Sequence, residues 1–287
     1  MKVVGKTLLC AFALILGTVF GGAIVPALHI QAPAMPPGAA PGPLFAWSLV
    51  GALVLAVCMV PLAAGLGGRF VNRYLALGGL LFIANAVNSA IEMTIFTTMG
   101  GQAFIVAHFF IVFVIGALAL AGLFGGQHPL LSWPHKSPSA WAWRIVVAWL
   151  AFPVIYLLFG MCVGPFVIEY YKSGALGLTL PPMDVILRTQ TVRSLLFLGC
   201  SLPVIRLWTG SRWRMVFALG LAHAGMVGLY GLSQAYWMPA IMRVLHSVEI
   251  IFDSFAYALV LTWLFFPRTQ TADARLTPAH VTSATPA

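Results

Sequence analysis

The chain has 287 residues, of which 61% are hydrophobic and only 7% charged, far below the roughly 25% charged residues of an ordinary soluble domain. That composition excludes a soluble globular enzyme and predicts an all-α, polytopic integral membrane protein whose first partner is the lipid bilayer. The net charge of +9 is a matter of membrane topology and implies no nucleic-acid partner.

A spanning helix needs about 20 mostly apolar residues, and eight segments qualify. The first four run from Leu8 to Leu28, Leu44 to Leu66, Tyr74 to Phe96 and Ala103 to Phe124. A linker rich in Pro, His and Trp follows, and the second four run from Arg144 to Val163, Val185 to Ile205, Met215 to Gln234 and Ala240 to Phe266. The last of these is the longest and is expected to tilt. Tyr170 and Tyr171, in the proline-flanked stretch from Pro165 to Asp184, read as a loop segment at headgroup level.

Lys2, Lys6, Arg69, Arg73, Lys136, Arg144, Arg206, Arg212, Arg214, Arg268 and Arg275 flank one side of these helices, and Lys172 lies in a loop on the other. Positive residues are retained on the cytoplasmic side, so both termini are expected there, with a prokaryotic inner membrane as the default location. Cys10, Cys58, Cys162 and Cys200 fall inside spans without metal-finger spacing and read as packing residues.

The two halves resemble each other. Phe20-Gly21 followed by Pro26 recurs as Phe159-Gly160 followed by Pro165. Cys58 and Pro61 recur as Cys200 and Pro203, and Ala76-Leu77-Gly78 as Ala218-Leu219-Gly220, both at an offset of 142. Two tandem four-helix repeats in the same orientation are therefore expected, related by a pseudo-two-fold axis along the membrane normal. The units would be residues 1–124 and 144–267, with 125–143 as a cytoplasmic connection and 268–287 as a disordered tail.

Ionisable groups inside spans are costly and normally face a cavity or a partner. Asn85, Asn88, Ser89 and Glu92 fall on one face of the third span, and His108 sits in the fourth. The repeat pairs Glu92 with Gln234 and His108 with Glu249, so these four side chains are expected to converge on the extracytoplasmic half of the membrane. The second unit adds Arg188, Arg193, Arg243, His246 and Asp253, with His223 deeper. His246, Glu249 and Asp253 form one stripe on the eighth span.

Three readings compete. Glu92, Glu249 and Asp253 balance Arg188, Arg193 and Arg243 in number, as a buried ion-pair network in a structural or accessory subunit would require. The same groups with Gln234 and His246 suit a site that binds or translocates a small polar or anionic ligand, with His246 able to exchange protons. As an alternative, His108, His246 and Glu249 have the donor types for a zinc or iron enzyme acting on a lipid or interfacial substrate, or His108 and His246 for a haem. No sequence motif selects a particular cofactor.

Overall fold

A computed structural model describes residues 2–126, 128, 130 and 137–266. The expected disordered tail, 268–287, and residues 127, 129 and 131–136 of the connecting segment lie outside the described residues.

The described residues form eight long helices and no strand: α1 (Val3–Ala27), α2 (Pro41–Gly65), α3 (Phe70–Phe96), α4 (Gln102–Leu123), α5 (Pro138–Lys172), α6 (Met183–Leu207), α7 (Arg212–Gln234) and α8 (Ala240–Phe265). Seven are long and apolar enough to cross a membrane. The exception is α6, whose apolar run is interrupted by Asp184, Arg188, Arg193 and Arg206.

The longest helix is α5, at 35 residues, rather than α8. It continues through Pro153 and Pro165 to Lys172, so the expected loop after Val163 begins nine residues later. A proline inside a helix forfeits one backbone hydrogen bond, but leaving the helix in an apolar environment would strand several backbone groups. Continuing the helix costs less.

Helix neighbours recur at an interval of four helices. The pairs α1–α4, α3–α4 and α1–α2 have counterparts in α5–α8, α7–α8 and α5–α6, while α2 packs on α7 and α3 on α6. The second and third helices of each half thus pack across the midline against the third and second of the other. One continuous apolar core runs through both halves.

Backbone contacts follow the same interval. Gly67 N donates to Leu207 O at 2.8 Å and Thr209 N donates to Gly65 O at 3.0 Å, an exchange of roles between positions 142 residues apart. At the ends of α4 and α8, Lys6 Nζ donates to Leu123 O at 2.6 Å and Arg144 Nε to Leu264 O at 3.0 Å, where cations complement orphan carbonyls. A π-helical turn interrupts α3 at Phe82–Val87 and another interrupts α7 at Gly225–Leu229. The side-chain amide of Asn85, inside the first turn, donates to the Met226 carbonyl inside the second. Wide turns of this kind free carbonyls and occur often beside functional sites.

Glycine sets the closest helix approaches. A Cβ at Gly17 would lie 2.6 Å from the Val112 Cα, and one at Gly21 2.8 Å from the His108 ring, so α1 meets α4 almost backbone to backbone. Close approach through small residues four apart is a common way to gain contact between helices in lipid.

Candidate functional site

A cavity of about 400 Å³ lies among α3, α5, α6, α7 and α8. It extends from the end of the bundle that carries loops 97–101, 173–182 and 235–239 down to His223 and Tyr257 in the middle of their helices.

Arg193 forms one wall. Two hydrogen bonds, from Trp149 Nε1 to Thr191 O and from Ser194 Oγ to Trp149 O, fix α6 against α5 and aim the intervening Arg193 inward. Its guanidinium meets Glu92 Oε1 at 2.6 Å, donates from Nε to Asn88 Oδ1 at 2.6 Å and reaches Gln190 Oε1 at 2.9 Å. It also lies 5.7 to 5.8 Å from the ring centroids of Phe152, Tyr156 and Phe197. The Arg193 side chain is 2% exposed and that of Glu92 35%, so the pair runs from the interior toward the cavity mouth. Planar charge, carboxylate partner and aromatic faces together offset the cost of burying a guanidinium.

The opposite wall is the stripe on α8. His246 Nδ1 lies 2.9 Å from Glu249 Oε2, and the His246 Nε2 lies 3.4 Å from the Tyr171 hydroxyl. With Nδ1–H donating to the carboxylate, Nε2 accepts from Tyr171; an imidazolium fits the same geometry as donor on both sides. One turn further along, Asp253 also lines the cavity, and its Oδ1 is buried and makes no hydrogen bond. Below it the Tyr257 hydroxyl, in a residue 1% exposed, likewise has no hydrogen-bond partner. His223 at the floor is buried and bonded through Nε2 to Ser201 Oγ at 3.0 Å.

Of the eight residues expected to bind ligand, the cavity gathers Glu92, Arg193, His246, Glu249 and Asp253. It does not include the other three. Arg188 is exposed and pairs with Asp184 at 2.8 Å, one turn away on its own helix. Arg243 lies one turn before His246 and is absent from the lining, with its Nε buried and unbonded. Gln234 packs against Gly51 of α2, where a Cβ would meet its amide at 2.8 Å, and donates to Tyr230 O.

His108 is also elsewhere. It faces α1 at Gly21 and packs against Phe104 and Phe109, so Glu92, Gln234, His108 and Glu249 do not converge. The expected set of His108, His246 and Glu249 is therefore not assembled, nor are His108 and His246 placed to share a haem. Among the described residues no three His, Cys, Asp or Glu side chains are grouped as a metal site.

Sequence reasoning placed Tyr171 at the headgroups, whereas the extension of α5 carries it into the cavity beside Phe96 and His246. Tyr156, Asn88 and Gln190 also belong to the site or to the support of Arg193. Only Asn88 was on a face already marked as polar. Trp208, which follows α6, is 3% exposed and packs in the core.

The balance of charge is the chemical fact of the site. Three carboxylates line it, against one guanidinium and two imidazoles, of which His223 is bonded to Ser201. Arg193 is already engaged by Glu92 and Glu249 by His246, which leaves Asp253 without a partner cation.

Comparison of the chain with protein-family models, with curated proteins and with solved structures finds no match.

Proposed function

We propose that this protein is an eight-span membrane protein that binds, and in doing so translocates, a small polar ligand through the cavity between α3, α5, α6, α7 and α8. The observation that carries this reading is the cavity itself. Its volume lies within the roughly 300–1,000 Å³ of small-molecule sites, and it is lined by Glu92, Arg193, His223, His246, Glu249 and Asp253 in a chain that has few ionisable residues. A structural ion-pair network would leave no such space, since each carboxylate would sit against its own cation.

The charged residues of α6 are compatible with an eighth span. Asp184, Arg188 and Arg206 lie within two turns of its ends, and Arg193 is covered by protein. Two tandem repeats are supported by the exchanged contacts at Gly65, Gly67, Leu207 and Thr209 and by the paired π turns. Parallel repeats of this kind provide two halves able to rock about a shared axis. With Lys2, Lys6, Arg69, Arg73, Arg144, Arg206, Arg212 and Arg214 toward one end, that end is cytoplasmic in this reading and the cavity opens on the other side. A bacterial inner membrane remains the proposed location.

Arg188 and Arg243 lie outside the cavity and Arg193 is held by Glu92, so of the polar or anionic ligand the polar one is the part retained. Gly231 supplies the test. It lines the cavity, and a Cβ there meets nothing within 4 Å. Gly231→Leu is expected to fill the cavity, to change stability by less than about 1 kcal/mol, and to abolish the thermal stabilisation that a small polar solute gives the purified protein. If a panel of small cations, anions and neutral solutes stabilises wild type and Gly231→Leu equally, the cavity is not a binding site.

A further inference from the structure

We propose that the ligand of this cavity is a small organic ammonium ion, which takes the place of a proton on Asp253. The inference rests on the binding-site reading above and names the chemical class of what binds.

An ionised carboxylate removed from bulk water is costly unless a cation or several hydrogen-bond donors compensate it. Asp253 forms no ion pair among the described residues, and its Oδ1 is buried and unbonded. The groups that face it are accounted for element by element. From α3 comes Glu92, from α6 Arg193, which Glu92 holds, and from α7 His223, which Ser201 holds. Helix α5 offers only the phenols Tyr156 and Tyr171, and α8 itself offers the His246–Glu249 pair and Tyr257. No group in this set supplies the missing positive charge. The empty site therefore keeps a proton on Asp253, and an occupied site replaces it with a cation.

The walls decide which cation. A small hard ion such as sodium or magnesium seeks a shell of oxygens, whereas the cavity that holds this carboxylate is lined by Phe152, Tyr156, Phe197 and Tyr257. Aromatic faces with a carboxylate recognise weakly hydrated ammonium groups. The cavity already demonstrates that chemistry, because three of its rings surround the guanidinium of Arg193. The unbonded Tyr257 hydroxyl adds a neutral oxygen at the same depth. When the ammonium enters, the Asp253 proton leaves to water at the mouth beside Glu92, and one positive charge is exchanged for another.

The full chain, purified in an uncharged maltoside detergent, is titrated with tetramethylammonium chloride by calorimetry, with sodium chloride and tetramethylammonium acetate as controls for salt and counter-ion. Binding is expected to tighten as pH rises, by up to about tenfold per pH unit where one proton is exchanged, and to disappear in Asp253→Asn. Circular dichroism of that variant should match wild type, because the amide replaces a carboxylic acid of the same shape. Displacement of the soluble ion by added phosphatidylcholine would identify a lipid headgroup as the source of the ammonium, and its failure a free amine. Binding that is independent of pH, or that persists in Asp253→Asn, overturns the proposal. So does binding of acetate but not of tetramethylammonium, although the cavity would then remain a binding site; loss of every solute from the Gly231-sensitive cavity would instead remove the reading on which the proposal rests.

Discussion

If the two halves are read as repeats, the interface between α3 and α6 corresponds to the interface between α7 and α2, and the cavity described above lies at the first. Where α6 offers Arg193 to Glu92 at 2.6 Å, α2 offers Gly51 to Gln234, whose amide fills the space an added Cβ would need. Behind them the contrast repeats. Tyr156 and Asp253 line the cavity, while at the corresponding places Gly17 lies almost on the Val112 backbone and closes the gap. Glu249 takes a hydrogen bond from His246 beside Gly160, and its counterpart His108 packs among phenylalanines beside Gly21. Helix neighbours are thus similar in the two halves while side-chain volume and charge differ, and the cavity lies where Arg193 and the aromatic residues of α5 stand. Glycine on α1 draws its helices together, and aromatic residues on α5 hold theirs apart.

The strongest way to break this comparison is to remove the charge that anchors the open side. Arg193→Met would leave Glu92 without its cation and strip Asn88 and Gln190 of a donor. A loss of about 3–5 kcal/mol is expected, as for other buried pairs cut on one side, read as reversible unfolding in mixed micelles. A cost below 1 kcal/mol would mean that the pair is solvated and does not define the wall.

A reciprocal exchange sharpens the comparison with a smaller effect. Val112→Asp places a carboxylate where there is no cavity and should destabilise by about 2 kcal/mol or more. Asp253→Val removes an unpaired carboxylate of similar size and should be neutral or stabilising by about 1 kcal/mol, while abolishing binding. A cost for Val112→Asp below about 1 kcal/mol, or a loss of stability in Asp253→Val, would show that the two positions do not differ in this way.

Much of the helical architecture is legible in the sequence because hydrophobic runs of spanning length have few alternatives in lipid. The paired Phe-Gly and Pro anchors likewise forecast which helices would keep the same neighbours. The site was legible only where polarity itself was the signal: Glu92, Arg193, His246, Glu249 and Asp253 stand out against apolar spans. The inference from the repeat failed at His108 and Gln234, because positions matched between two similar halves need not meet: His108 packs against α1 at Gly21 and Gln234 against α2 at Gly51. Arg188 and Arg243 were misjudged because a span's charges look alike in one dimension, whether they face a cavity or its exterior. Tyr171 was missed because Pro165 reads as a helix end, and only the continued helix brings the phenol to His246.

The cavity leads to the expectation that water and solutes reach position 253 and not position 112. It is tested most directly by thiol labelling of Asp253→Cys and Val112→Cys, each in a Cys162→Ser background that leaves only the buried Cys10, Cys58 and Cys200. A membrane-impermeant charged methanethiosulfonate is predicted to label position 253 in the folded protein and to leave position 112 unmodified. Equal labelling at both positions, or none at position 253, would contradict the account.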